Sequence, residues 1–440
     1  MNAQEWIRAH YQEMLEDFAM LIRIDSVQAD PQEQAPFGEK VAKALEFVGT
    51  LAEKFGFTFH NVDGYVGYFD FREEGHLPEY GVISHVDVVP PRKGNYPSFE
   101  LTEAAGKFFG RGTIDDKGPT IILLYVLAAL KQTGFSPAHN MRMLVGTNEE
   151  SGWADIDYIK DRGILPKYGF SPDADYPVIN GEKGAVQFEL TRCHQSDTVI
   201  WAQAGDRPNI VPDRATCLVN LHHEEVTTLC SCMALDVKVE KADQEQTKLT
   251  FFGKSAHASM PELGHNAAKE MLRFLGKLDS SFYGVKSLFA GDHGFGLGFV
   301  NEALTCNLGA VHYQEGKLTL VGDIRAPREY TVEQVQREIE KSTGIYEINY
   351  THVMPPHFVE ENSFLVQTLL KAYEKATGEE GYAFTIGGGT YSRVFEQGVA
   401  FGCLFPGEAM VAHQADEYFA IDSFQKNIDI MLEAMTSLLQ

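Results

Sequence analysis

The sequence predicts an α/β protein in which helices flank a sheet, with a second α+β domain inserted into the first. Strand-like apolar segments alternate with amphipathic helical segments before residue 185. After residue 185 the hydrophobic pattern changes to longer runs of strand-like alternation. A pattern like that of the N-terminal part returns after residue 357. We therefore expect a discontinuous first domain, residues 1–185 and 357–440, and an inserted domain, residues 186–356.

The individual elements follow from apolar periodicity. Apolar side chains at intervals of three and four predict helices at 4–24, 37–56, 118–134, 265–279, 331–342 and 361–376. β-Branched or alternating segments predict strands at 80–89 and 140–147, and within 186–222, 236–252 and 305–326. The longest apolar run, 121–130, has the length of a buried core helix and is too short to span a bilayer.

Composition narrows the possible partners. The formal charge of −25 disfavours nucleic acid and anionic membranes, which both require a basic surface. The charged N-terminus has no apolar segment of a secretory signal. The six cysteines are scattered, which predicts reduced, buried thiols in a cytoplasmic protein.

Acidic and imidazole side chains in five separated segments have the chemistry of a two-metal site. They are His85 and Asp87 in SHVDVV, Asp115 in GRGTIDDKGP, Glu149 and Glu150 in GTNEES, Asp173 in GFSPDADYP, and His413 in AHQADEY. Histidine and carboxylate ligands suit zinc or manganese, and several carboxylates together can hold two ions. Several of these residues follow predicted strands, where the sites of open α/β sheets lie.

Each motif alone has an ordinary structural interpretation. The alternatives are a satisfied buried histidine for His85 beside Asp87, an N-cap for Asp115 or Asp116, and a dipole-favoured helix start for Glu149 and Glu150. Asp175 competes with Asp173 as a ligand, and any single histidine of the 15 is more often structural. Strand alternation would place His85 and Asp87 on one face, with Asp87 orienting the histidine.

A second group of polar residues lies mostly in the inserted domain. It consists of Asn209 in RPNIVPD, His257 in GKSAHASMPELGHNAA, Arg325 in DIRAP, and Gly388, Gly389, Thr390 and Arg393 in GGGTYSR. Such groups suit oxyanion stabilisation and the capture of a substrate carboxylate. A helix-start loop, a surface arginine and a glycine turn are the structural alternatives.

Together these motifs resemble the dinuclear metallopeptidase superfamily that includes carboxypeptidase G, aminoacylases, succinyl-diaminopimelate desuccinylase and carnosinases. The resemblance is greatest to its PepV-type dipeptidase branch. It is carried, in the family's order, by SHVDVVP, GRGTIDDKGP, GTNEESGW, GFSPDADYPVINGEKG, GKSAHAS, DIRAP and GGGTYSR. The resemblance implies a zinc-peptidase-like catalytic domain with a mixed central sheet, and an inserted α+β lid domain.

The resemblance also implies a role for each candidate ligand. Asp115 would bridge two divalent metal ions, zinc in the first place and manganese as the alternative. His85 and Asp173 would complete one metal site, and Glu150 and His413 the other. Glu149 would be the general base, and Asp87 would support His85. The Asp115–Asp116 peptide bond is expected to be cis.

For the second group, the resemblance implies contacts with a small peptide substrate. His257 on the lid would stabilise the oxyanion. The polar ends of the substrate would be bound by Asn209, Arg325, Gly388, Gly389, Thr390 and Arg393. The implied reaction is hydrolysis of dipeptides by a hydroxide held between the metals, and the alternative is deacylation or desuccinylation of N-acyl amino acids.

The length of the inserted domain matches the enlarged lid with which PepV-type enzymes imitate a dimer inside one chain. The resemblance therefore implies a monomer in which His257 acts in cis. The sequence departs from the family pattern at Ser84, where glycine usually precedes the ligand histidine, and it lacks the tryptophan common after HVDVVP. Neither departure removes a predicted ligand, but both bear on the shape of the substrate pocket.

Overall fold

The chain forms two compact units. The computed structural model describes residues 1–243, 245–282, 289, 291–292 and 303–440. The first unit comprises Met1–Gly181, Phe358–Thr385 and Gly389–Gln440, and the second comprises Glu182–His357 and Ile386–Gly388. The first unit is therefore discontinuous in sequence. The segment Ile386–Gly388, which the sequence-based division assigns to the first domain, groups with the second unit.

The α-helices lie close to the predicted segments. They are α1 (Ala3–Ala9), α2 (Tyr11–Arg23), α3 (Glu39–Lys54), α4 (Lys117–Gln132), α5 (Ala154–Ile159), α6 (His223–Cys232), α7 (Ala267–Leu278), α8 (Val332–Thr343), α9 (Phe364–Thr377) and α10 (Ile421–Leu439). The prediction of a single helix over 4–24 is wrong. His10, with φ −106° and ψ 11°, ends α1 and precedes α2, so the backbone leaves the helical conformation there.

The strands are shorter than their apolar segments. They are β1 (His60–Val62), β2 (Val66–Asp70), β3 (Tyr80–His85), β4 (Thr102–Ala104), β5 (Lys107–Phe109), β6 (Met141–Gly146), β7 (Tyr168–Ser171), β8 (Ala174–Asp175), β9 (Val178–Glu182), β10 (Gly184–Cys193), β11 (Val199–Ala204), β12 (Arg214–Val219), β13 (Val237–Lys241), β14 (Thr247–Phe252), β15 (Thr305–Gln314), β16 (Lys317–Ala326), β17 (Glu347–Met354), β18 (His357–Phe358), β19 (Ala383–Ile386), β20 (Gln397–Ala400), β21 (Cys403–Leu404) and β22 (Tyr418–Ala420).

The main sheet of the first unit is mixed. Its strand order is β1-β2-β6-β3-β7-β20-β9-β18, and β19 also pairs with β9. The central strands β6, β3, β7 and β20 are parallel, whereas β2 joins β6 and β9 joins β20 in antiparallel fashion. The register opposes His85 to Gly146, so β3 and β6 end at the same edge.

Helices cover both faces of this sheet. Neighbouring strand residues point to opposite faces, and Val82 and Met143 accordingly belong to one hydrophobic cluster while Ile83 and Leu144 belong to another. The first cluster includes α4, α9 and α10, and the second includes α5. Every residue of Ile121–Leu130 in α4 is at most 2% exposed, which confirms the predicted core helix.

The second unit is built on an antiparallel sheet with its own hydrophobic core. The strand order is β13-β14-β12-β11-β15-β16-β10-β17. Helix α7 packs its apolar stripe, including Met271, Phe274 and Leu275, into this core. The Asn266 side chain caps α7 by accepting hydrogen bonds from the amides of Ala268 and Lys269. The predicted class, a helix-flanked mixed sheet with an inserted α+β domain, is confirmed.

Among the described helices, none combines the length and the apolar character that crossing a bilayer requires.

Candidate metal centre

The candidate ligands converge at the carboxyl edge of the parallel strands in the first unit. His85 is the last residue of β3. Glu149 and Glu150 lie in a 3₁₀ turn shortly after β6, and Asp173 follows β7. This is the edge at which open α/β sheets place their sites. Since β3 ends at His85, the expectation that Asp87 lies in the same strand is wrong, although the two side chains do lie beside each other as expected.

Two groups of ligand atoms share Asp115. In the first group, His85 Nε2 lies 3.2 Å from Asp115 Oδ1 and 3.5 Å from Asp173 Oδ2. In the second group, His413 Nε2 lies 2.9 Å from both Asp115 Oδ2 and Glu150 Oε2. Within each group the ligand atoms lie within 4.8 Å of one another. Each oxygen of Asp115 therefore faces a different group.

The residues of both groups fit divalent cations. His85 Nε2 and Asp115 Oδ1 are buried but make no hydrogen bond within the described part of the protein, although they lie close together. Buried polar atoms without a partner are rare, and facing a metal ion is one explanation for them. Burial and then the charge of Asp115 raise the pKa of Glu150 to about 7. Burial also raises the pKa of Glu149 well above its ordinary value. A divalent ion in each group would offset the repulsion among these carboxylates.

Asp87 contacts both His85 and the turn that carries Glu149 and Glu150. Its Oδ1 and Oδ2 atoms accept hydrogen bonds from the amides of Glu149 and Glu150, each at 3.1 Å. Its Oδ1 also lies 3.3 Å from His85 Nδ1, which is 3.0 Å from the Asp87 carbonyl oxygen. His85 therefore turns Nδ1 to Asp87 and Nε2 to Asp115 and Asp173. The contact with the Glu149–Glu150 turn is an addition to the supporting role expected from the sequence.

Asp116 has a different contact from the one predicted for it. It occupies the N-cap position of α4, but its side chain makes no capping hydrogen bond. Its Oδ2 instead accepts a hydrogen bond from the amide of His85 at 3.1 Å. The interpretation of Asp116 as a side-chain cap is therefore wrong. The Asp115–Asp116 peptide bond is cis, as the resemblance implies.

Sequence reasoning did not single out two buried residues that hold the Glu149–Glu150 turn. Asp155 Oδ2 accepts hydrogen bonds from the amides of Thr147 at 2.8 Å and Asn148 at 3.0 Å. The Tyr391 hydroxyl donates to the same oxygen at 2.5 Å. The Tyr391 ring also meets the His85 ring edge-on, with centroids 6.0 Å apart. In the sequence, Asp155 resembles an ordinary acid at the start of a helix, so no local signal identifies it.

In the second unit, Asn209 and His257 lie on adjacent segments. The amide of Ala258 donates to the Asn209 carbonyl oxygen at 2.9 Å. The amide of Ser259 donates to His257 Nδ1 at 3.2 Å, and the Ser259 hydroxyl lies 2.7 Å from the same nitrogen. Desolvation and then the charge of Arg325 lower the pKa of His257. Because a backbone amide can only donate, Nδ1 is the acceptor in this contact, which leaves Nε2 to carry the ring proton.

Arg325 is held by a carboxylate that sequence reasoning did not select. Its Nε and Nη2 donate to Asp323 at 2.7 and 2.9 Å, and its Nη1 donates to the Gly387 carbonyl oxygen at 3.2 Å. Asp323 also accepts from Gln187 Nε2 at 2.8 Å. This bidentate pairing fixes the plane of the guanidinium.

The predicted glycine-rich turn is divided between the two units. Gly388 belongs to the second unit, whereas Gly389, Thr390 and Arg393 belong to the first. The Thr390 hydroxyl accepts a hydrogen bond from the amide of Ser392 at 3.2 Å and so starts the 3₁₀ turn that contains Arg393.

Comparison with known proteins agrees with this chemistry. The family model described as "Peptidase family M20/M25/M40" matches residues 81–437. The "Putative dipeptidase YtjP" of Bacillus subtilis (strain 168) is 34% identical, and the alignment covers 100% of both chains. The "Beta-Ala-Xaa dipeptidase" of Lactobacillus delbrueckii subsp. lactis is 33% identical over 100% of this chain and 98% of the relative.

A solved structure supports the fold independently. Human carnosine dipeptidase 1 superposes with a TM-score of 0.61 at 14% identity, covering 100% of this chain and 98% of the other. The match to the family model and the full-length relatives lead to one conclusion: this chain belongs to peptidase family M20/M25/M40.

Proposed function

We propose that this protein is a metal-dependent dipeptidase. The observation that carries the proposal is the pair of ligand groups that share Asp115, with Glu149 beside them. Membership of the peptidase family supports hydrolysis of an amide bond. Two relatives that align along the whole chain are named as dipeptidases, which supports a dipeptide as the substrate.

Two divalent ions would be held by the two groups, His85, Asp115 and Asp173 in one and Asp115, Glu150 and His413 in the other. When bound, such ions polarise a substrate carbonyl and make a water molecule acidic at neutral pH. We propose zinc, with manganese as the alternative, because imidazole and carboxylate ligands generally bind zinc more tightly than manganese.

Glu149 would act as the general base. Its backbone amide is held by Asp87, as is that of Glu150, but only Glu150 belongs to a ligand group. The Glu149 carboxylate interacts electrostatically with His85 and Asp173 and belongs to neither ligand group, which supports its proposed role as the base. It would take a proton from the attacking water and deliver it to the leaving amine.

The second group of residues would bind and polarise the substrate. The Nε2–H of His257 is a suitable donor for the oxyanion of the tetrahedral intermediate. Asp323 orients the Arg325 guanidinium for a carboxylate of the substrate. We propose that Asn209, Gly388, Gly389, Thr390 and Arg393 bind the remaining polar groups of the peptide.

We also propose a cytoplasmic location. The cysteines in the described part of the chain form no disulfide bond, which is the state expected in a reducing compartment. Cys193 and Cys232 are exposed, so the prediction that the thiols are buried is wrong for these two.

The test is hydrolysis of a panel of dipeptides and N-acyl amino acids by the wild-type protein. Chelation should abolish dipeptide hydrolysis, and re-addition of zinc or manganese should restore it. The Glu149→Gln protein, purified identically, controls for contaminating peptidases. If N-acyl amino acids are cleaved and no dipeptide is, the protein is a deacylase and our proposal is wrong.

A further inference from the structure

Glu417 is a buried carboxylate that neither ligand group includes. It is 2% exposed and lies four residues after His413. Its Oε1 accepts hydrogen bonds from the amides of Gly112 at 3.0 Å, Ile114 at 3.1 Å and Asp115 at 3.3 Å. One oxygen of Glu417 therefore accepts hydrogen bonds from three backbone amides of the loop that carries Asp115, the ligand shared by both groups.

The other oxygen of Glu417 pairs with a buried arginine from the same loop. Glu417 Oε2 accepts from Arg111 Nη1, and Arg111 is 3% exposed. The Nη2 atom of Arg111 donates a hydrogen bond to the Gln414 carbonyl oxygen at 2.9 Å. The amide of Gly110 also donates to the Glu417 carbonyl oxygen at 3.0 Å. These contacts join the loop that bears Asp115 to the loop that bears His413.

The joined loops are irregular and need such a connection. His413 has a φ of 63°, in the left-handed region that non-glycine residues rarely adopt, so the surrounding contacts must hold this conformation. The side chain of His413 is 50% exposed, so close packing does not enclose it. Its position relative to Asp115 therefore depends on how the 414–417 segment is anchored.

The charge of Glu417 requires a local partner as well. The ligand cluster is already rich in carboxylates, and another buried negative charge next to Asp115 would be unfavourable by itself. Arg111 supplies the compensating positive charge directly. A buried ion pair is weak evidence for a gain in stability, because desolvation offsets the attraction. The hydrogen-bond pattern points instead to the placement of loops.

We propose that Glu417 and Arg111 are positioning residues that set the spacing between Asp115 and His413 and thereby the affinity of the second metal site. The inference rests on the proposed function, in which that site holds a divalent ion. Partners behind the metal ligands commonly change metal affinity by about 10–100-fold when they are removed.

The test compares zinc retention by full-length, zinc-loaded variants in competition with a colorimetric chelator. Glu417→Ala should weaken zinc binding by about 10–100-fold. Glu417→Gln keeps an oxygen that can accept the loop amides but loses the charge that pairs with Arg111, so it should lie between wild type and Glu417→Ala.

The chain offers a matched control in the pair Asp70–Arg142. Arg142 Nε and Nη2 donate to the two oxygens of Asp70 at 2.7 and 2.8 Å, and both residues are buried. Arg142 lies near the start of β6, whereas the proposed ligand Glu150 follows the end of that strand. Asp70→Ala should lower the urea midpoint of unfolding but leave zinc affinity at the wild-type value.

The inference is overturned if Glu417→Ala retains zinc like wild type, or if Asp70→Ala loses zinc equally. If Glu417→Ala does not fold, wild-type zinc retention by Glu417→Gln overturns it. Chelator competition needs no substrate, so it is separate from the dipeptide assay that decides the proposed function.

Discussion

At the scale of single residues, carboxylates that are adjacent in sequence make different contacts in the candidate metal centre. Glu150 belongs to a ligand group with Asp115 and His413, whereas Glu149 does not. Asp115 and Asp116 differ in the same way. Asp115 lies beside the ligand atom of His85, whereas Asp116 accepts a hydrogen bond from the backbone amide of His85. The motifs indicate which residue types can bind metal. They do not reveal which member of a pair faces the ions, because that depends on backbone turns outside the motif.

The two glutamates should therefore fail in different ways when each is changed to glutamine. Glu149→Gln should lower kcat by about 100–10,000-fold, because general base catalysis typically contributes that much. It should still bind two metal ions. Glu150→Gln removes a charged ligand and should weaken metal binding instead. Turnover at saturating metal and metal content after dialysis measure the two effects, and near-normal turnover by Glu149→Gln would refute the assignment of the base.

At the scale of elements, the site depends on where strands end and where α4 begins. The sequence predicts β3, β6 and α4 because their apolar patterns are long and unambiguous. It overestimates β3, since Val86 and Val88 are buried in the loop that follows the strand. Burial outside a regular strand leaves the same apolar signal as a strand. Element ends are therefore decided by long-range contacts such as those of Asp87 and Asp116.

The first turn of α4 packs against the ligand loop so closely that only glycine fits at position 118. A Cβ on Gly118 would lie 2.0 Å from the carbonyl oxygen of Thr113. The amide of Gly118 also donates to the Gly112 carbonyl oxygen at 3.2 Å. Gly118→Ala should lower the free energy of unfolding by about 1–3 kcal/mol, because the backbone must shift.

The same shift should weaken metal binding, because Asp115 lies in the displaced loop. Urea denaturation of the metal-free protein and metal titration measure the two quantities. Gly344→Ala is the control, since a Cβ there lies farther than 4 Å from every atom of the residues that the structure describes. It should change the free energy of unfolding by no more than about 0.5 kcal/mol. Equal behaviour of the two variants would contradict the steric argument.

At the scale of the whole molecule, a discontinuous catalytic domain is foreseeable because the candidate ligands extend from His85 to His413. The assignment of Ile386–Gly388 to the second unit could not be predicted from the sequence. It follows from the hydrogen bond between the Lys183 amide and the Ile386 carbonyl oxygen, and from the one between Arg325 and Gly387. These residues are far apart in sequence, and no local pattern marks their contact.

Whether one chain is sufficient for catalysis depends on both units. The proposed base Glu149 belongs to the first unit and the proposed oxyanion donor His257 to the second. We propose that both act within a single chain, as the length of the inserted domain suggests. His257→Ala should lower kcat by about 100–1,000-fold, the usual effect of removing one oxyanion donor.

Mixing the His257→Ala protein with Glu149→Ala, including co-refolding of the two, should then restore no activity. If His257 instead served a partner chain, mixed dimers would contain one complete site and activity would return. Recovery of turnover in the mixture, measured against each variant alone, would therefore show that the protein acts as a dimer.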